Sequence, residues 1–145
     1  MTISSPAATY LQITQSRDGL PGPIGGVVWL GYDNPATPPH VPVYIGISQM
    51  PASYMVDGRW AFSRDCAWWA FRTVSRLANF RYQEMSQDIM KVWRTIEDTA
   101  FAGQAKFEED ALALWKKDPK KARELLTKYT HDQANGAVAA YWKLA

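Results

Sequence analysis

The sequence predicts an α+β chain of about three N-terminal strands followed by three or four helices. Two observations carry this expectation. The composition changes abruptly at Gly58: up to and including that residue lie eight of nine prolines, seven of nine glycines and four charged side chains, Arg17, Asp18, Asp33 and Asp57. All the lysines and all the glutamates follow it. At the same place the apolar pattern changes from short runs and two-residue alternation to recurrence every three or four residues. We therefore expect a single unit, 1–145, with a strand and loop part (1–58) and a helical part (59–145).

Three segments read as strands. Thr9 to Ser16 alternates loosely, with Leu11 and Ile13 facing one way and Gln12 and Thr14 the other. Gly26 to Gly31 is apolar without alternation, as in a strand covered on both faces. Val41 to Ser48 is rich in β-branched and aromatic residues, and Pro42 confines its start to a sheet edge or an irregular entry. The intervening segments 18–25 and 33–39 carry turn residues. Gly22-Pro23-Ile24-Gly25-Gly26 is no phosphate loop, because it precedes a strand and lacks the spacing and the lysine.

The helical part opens on Gly58 to Phe71, which holds three of the seven tryptophans around Ser63-Arg64-Asp65. Ser63 is expected to cap a helix, with Asp65 at the positive end of its dipole. Ala67, Phe71, Val74, Leu77 and Ala78 form one face of that helix, which is expected to end near Tyr82. A second is expected from a Ser86 cap through Ile89, Val92, Trp93, Ile96, Ala100, Phe107, Ala111, Leu114 and Trp115. Gly103 inside it reads as a bend or a close-packing point. Asp118-Pro119 restarts a helix, with an N-cap followed by proline at the first position, running to about Tyr129. Thr130 or His131 begins a last one through Val138, Tyr141 and Trp142.

Composition and charge exclude several classes of function. The apolar fraction is 47% and the charged fraction 21%, which is globular and not disordered. A net charge of +2 is too small for a nucleic-acid surface, and the lysines of 116–121 are interrupted by Asp118. No stretch has transmembrane length, so no membrane partner is expected, and residues 1–16 lack signal-peptide character. One cysteine, Cys66, rules out an internal disulfide framework. His40 and His131 have no second ligand at helical or hairpin spacing, so no metal site and no cofactor are expected.

Among candidate site residues Arg17 stands out, because it ends a strand in a nearly uncharged region. There a guanidinium can hold a carboxylate by paired hydrogen bonds. The competing reading, given more weight, is an ion pair with Asp18, Asp33 or Asp57. Cys66 stands in the first turn of a helix, where thiol pKa falls, but a small half-buried cysteine is the favoured reading. Thr2 would be an N-terminal hydroxyl nucleophile only after removal of Met1. Arg64 and Asp65 read as capping and interlayer pairing, Asn34 as an Asn-Pro turn in preference to an oxyanion donor, and the tryptophans as core.

Phe62-Ser63-Arg64-Asp65-Cys66-Ala67-Trp68-Trp69-Ala70-Phe71 closely resembles the FSRDSAWWAF block of the dipeptidase A family, cysteine-type N-terminal nucleophile hydrolases. Further blocks agree in order, among them Gln15-Ser16-Arg17, residues 26–31, residues 41–46, Ile96-Glu97 and Asp118 to Ala122. The resemblance covers nearly the whole chain and places it in the C-terminal portion of those enzymes. It implies a share of a four-layer αββα sandwich and dipeptides or small peptides as substrates, with Arg17 near a substrate terminus.

In that family an N-terminal cysteine attacks the peptide carbonyl while its own α-amine relays the proton, and water hydrolyses the acyl-enzyme. The resemblance therefore implies a nucleophile upstream of this chain, no catalytic residue within it, and an inactive isolated chain. With a half missing, the apolar strand 27–30 is expected to be covered by dimerisation or by repacked helices. A second reading, from another class, is a stand-alone binding or structural module that keeps the fold without the catalysis.

Overall fold

The computed structural model describes Ser5 and residues 7–145. Three antiparallel strands, β1 (Tyr10–Ser16), β2 (Gly26–Tyr32) and β3 (Val41–Tyr44), form one sheet in the order β1-β2-β3. Single helical turns α1 (Gly22–Gly25) and α2 (Ala52–Met55) precede β2 and follow β3. Three longer helices complete the chain: α3 (Ala67–Ala78), α4 (Tyr82–Lys117) and α5 (Pro119–Leu144). The chain is α+β, with a three-stranded sheet followed by helices, as its composition predicts.

The register fixes which side chains share a face. Val27 pairs with Tyr44 and Trp29 with Pro42, and the alternate residues Val28 and Leu30 pair with Val43 and Val41. On the first face, Val27, Trp29 and Tyr44 pack with Ala100, Ala111 and Leu126 of α4 and α5. On the second, Val41 and Val43 pack with Phe71 and Val74 of α3 and with Ala134, Ala137 and Tyr141 of α5. Helices of this chain thus cover both faces of β2, as its unbroken apolar run anticipates. Val27 and Trp29 are buried and Val28 and Leu30 half-buried. The exposure lies instead in β1, where Tyr10, Gln12, Ile13, Thr14 and Ser16 all face solvent.

Pro42 does lie in an edge strand, and α5 covers that edge. The Tyr44 N–H donates to Thr130 Oγ1 at 3.4 Å, and the Tyr141 hydroxyl donates to the Thr37 carbonyl just before β3. A helix laid along an edge strand in this way removes a template for intermolecular pairing. β3 is shorter than the expected Val41–Ser48, because after Tyr44 the chain turns against α1. Ile45 N–H and Gly46 N–H donate to Gly26 and Pro23 carbonyls at 3.0 and 3.1 Å.

Several helix limits differ from those expected. Ser63 is not the N-cap of α3. Its hydroxyl accepts the Asp65 N–H at 3.1 Å in a turn, and Cys66 occupies the cap position without a side-chain cap bond. The first helix stops at Ala78, where Asn79, Phe80 and Arg81 donate to carbonyls only three residues back. α4 then begins at Tyr82, and Ser86 lies inside it with its hydroxyl on the Gln83 carbonyl.

Gly103 leaves open space around an added Cβ, so close packing does not explain it. Asp118 does cap α5, accepting from Lys120 N and Lys121 N, with Pro119 at the first position. No break follows at Thr130, because its hydroxyl serves the β3 edge and not a new helix start. The expected third and fourth helices are one.

Candidate functional site

Arg17, at the end of β1, carries the main expectation for binding. Its Nη1 lies 2.7 Å from Oε2 and 2.5 Å from Oε1 of Glu108, in the middle of α4. Nη2 donates to the Ile24 carbonyl at 3.0 Å and Nε to the Gly25 carbonyl at 3.4 Å, so the guanidinium also closes the C-terminal end of α1. An ion pair exists, as the weightier reading required, but its partner is none of Asp18, Asp33 or Asp57.

Glu108 in turn accepts the Tyr44 hydroxyl at 2.7 Å and Gln104 Nε2 at 3.0 Å. Gln104 also reaches Gln15 Oε1, which takes the Trp29 indole N–H at 3.2 Å. Burial, together with the Glu108 carboxylate it donates to, pushes the Tyr44 phenol well above its ordinary range. The carboxylate is therefore met by donors from the residue that follows β1, from β3 and from α4, which ties the sheet to the helix layer.

A second polar node lies at the other end of β2. Asp33 is fully buried with φ 73°, and its Oδ1 accepts Arg72 Nη1 of α3 at 2.6 Å. The Arg72 guanidinium stands 5.4 Å from the centre of the Trp68 ring. Beside this node Tyr10, Tyr32, Trp68 and Arg59 line a pocket of about 300 Å³. A third node joins His40 Nδ1 to Glu97 Oε1 at 2.8 Å, the same oxygen that takes the His40 backbone N–H.

Of the other candidates, Cys66, Asn34 and Arg64 fall where the plainer readings put them, whereas Asp65 and Trp60 are exposed, outside the capping, pairing and core roles expected of them. Cys66 is buried, and its thiol donates to the Val56 carbonyl at 3.3 Å. Asn34 Oδ1 accepts the Ala36 N–H at 2.9 Å in a turn. Arg64 lies over the Trp142 ring at 5.2 Å, an interlayer contact, while Asp65 is exposed. Trp69 Nε1 donates to the Gly58 and Ala61 carbonyls, tying down the loop before α3. Thr2 lies outside the described residues.

Sequence reasoning missed Glu108. The signal was available. Glu108 stands at helical spacing from Gln104, Ala111 and Trp115, on the same stripe as the apolar positions. No comparable signal marks Arg72 or Glu97, whose partners lie 39 and 57 residues away.

The chain is an α+β unit whose sheet and helices are joined by two arginine–carboxylate pairs, Arg17–Glu108 and Arg72–Asp33. Its relationships are specific. The model of Peptidase family C69 matches residues 1–95 of the 145. The chain belongs to that family. It is also 26% identical over 133 residues to a Streptococcus pyogenes serotype M1 protein described as "Probable dipeptidase B". The match takes in 91% of this chain, which spans 26% of the relative's length.

Proposed function

We propose that this chain is the C-terminal segment of a dipeptidase-like peptide hydrolase and that its part is to scaffold and bind. The nucleophile is an N-terminal cysteine upstream of Met1, whose α-amine relays the proton during attack on the peptide carbonyl. Membership of a peptidase family, in a chain spanning about a quarter of a dipeptidase relative, is the observation that carries the reading.

The local chemistry is in keeping with it. Cys66 is buried and bonded to a carbonyl, His40 is committed to Glu97, and His131 contacts the Gln49 carbonyl at 3.1 Å. A thiol nucleophile needs exposure and a base within reach, and Cys66 has its hydrogen pointed at Val56. Arg17 is the proposed substrate-binding residue, set at the junction of β1, α1 and α4. Helices of this chain cover both faces of β2, the second of the two arrangements expected for that strand. The open surface of β1 is where a further layer of an αββα sandwich would rest.

The test is hydrolysis of a mixed set of dipeptides by the folded chain alone and by the product of the reading frame extended upstream. The chain alone is expected to show no turnover. The longer protein is expected to cleave dipeptides and to lose that activity when its first mature cysteine becomes serine. Turnover by the chain alone, abolished by Cys66→Ala or Thr2→Ala, overturns the proposal.

A further inference from the structure

The pocket between β1, β2 and α3 is walled by three aromatic rings from three elements, and all three are linked to one residue, Asp33, through its backbone or its carboxylate. Asp33 directly follows Tyr32, and its φ of 73° turns the chain out of β2 at that point. Its N–H donates to the Thr9 carbonyl at 2.8 Å, which fixes the backbone entering Tyr10. Its Oδ1 holds Arg72 at 2.6 Å, and Arg72 lies against the Trp68 ring. The Tyr32 hydroxyl is anchored in turn on the Tyr54 carbonyl at 3.3 Å.

The arrangement is expensive. Asp33 takes a backbone conformation uncommon for a residue with a side chain, and its Oδ2 is buried without a hydrogen-bond partner among the described residues. Strain and unmet polarity of this kind persist only where the surroundings over-determine them, and they cluster at functional sites. At the rim, Arg59 is held by Asp57 through Nε and Nη2 at 2.8–3.2 Å, so its charge is locally balanced.

We propose that this pocket is a subsite for the aromatic or large apolar side chain of a short peptide. The ligand class rests on the peptide-hydrolase reading; the side-chain preference rests on the pocket itself. About 300 Å³ is at the small end for a ligand site, matching one ring and not a whole drug-sized molecule. Tyr10, Tyr32 and Trp68 offer ring faces and edges for offset or edge-on contact. The lining of Thr9, Gly58 and a paired Arg59 supplies no unbalanced charge to select a carboxylate or an ammonium.

The test is titration of the full 145-residue chain with glycyl-phenylalanine and with glycyl-glycine, followed by amide and indole N–H NMR shifts. Glycyl-phenylalanine is expected to give a saturable shift of the Trp68 indole and Tyr32 amide signals. Glycyl-glycine is expected to bind at least about tenfold more weakly, the discrimination that burying one aromatic side chain supplies.

Trp68→Ala is expected to weaken glycyl-phenylalanine about tenfold. Because Trp68 also packs on Trp69, Tyr10→Ala is the second variant; Tyr10 is 56% exposed on an edge strand, and its truncation leaves the fold intact. Phe80→Ala, outside the pocket and 84% exposed, is expected to change nothing. Equal binding of the two dipeptides, no saturable shift, or insensitivity to Tyr10→Ala overturns the subsite. Since the readout is binding, that failure is separate from an absence of hydrolysis by the longer protein, which bears on the hydrolase reading.

Discussion

Arg17 and Glu108, 91 residues apart in the chain, form an ion pair in which one guanidinium nitrogen lies 2.5 Å from a carboxylate oxygen. The pair joins the strand part to the helical part, and Tyr44 and Gln104 bond to the same carboxylate. Both side chains are largely withdrawn from water, 23% and 10% exposed. Removing one partner therefore strands a charge.

Arg17→Met is expected to lower stability by roughly 3 kcal/mol, the cost of leaving a buried carboxylate unpaired. Arg17→Met combined with Glu108→Gln is expected to recover part of it, because the amide can still meet Tyr44 and Gln104. Urea unfolding of the two singles and the double would measure the coupling. Additive losses would show that the two residues act independently.

Two glycines are expected to respond in opposite directions. A Cβ at Gly46 would sit 2.6 Å from the Pro23 carbonyl oxygen and 2.8 Å from Leu126. Gly46→Ala should therefore cost about 1–3 kcal/mol by overpacking. Gly103, inside α4 with nothing near an added Cβ, should gain about 0.5–1 kcal/mol as alanine. Thermal melts of the two variants check both signs, and a destabilised Gly103→Ala would count against the packing described for α4.

Cys66 is expected to react with a thiol reagent only as fast as the chain unfolds. Its side chain is buried and its S–H is on the Val56 carbonyl. The labelling rate should rise with urea in step with the unfolded fraction. Rapid labelling of the folded chain would instead reveal an accessible thiolate.

Alkaline pH should unfold the chain cooperatively. Burial raises the phenols of Tyr44, Tyr54 and Tyr141 well above 10.0, their ordinary value. A group whose pKa is higher folded than unfolded adds stability below the unfolded value and loses it as pH climbs toward the folded one. The melting temperature should thus hold to about pH 10 and fall beyond it. Tyrosinate absorbance should show the buried phenols titrating together with loss of structure. Titration of all seven tyrosines near pH 10 in a folded chain would contradict their burial.

The amino-acid sequence by itself determined the order of the main elements: the three strands before Gly58, the long helices after it and the Asp118-Pro119 restart, with Pro42 confined to an edge or an irregular entry. These are local matters, fixed by backbone angles, capping chemistry and the period of apolar residues. It also carried the family, because the block from Phe62 to Phe71 keeps its residues and spacing.

Only the tertiary structure decided the rest. Thr130 did not start a helix because the edge of β3 needed its hydroxyl. Glu108 did not face water because Arg17 and Tyr44 met it under the sheet. Asp33 gathered three aromatic rings through bonds to Thr9 and Arg72, neither of which its neighbours in sequence foretell. Local preferences act over three or four residues, whereas a buried charge is settled by whichever opposite charge or donor the fold brings within hydrogen-bond distance.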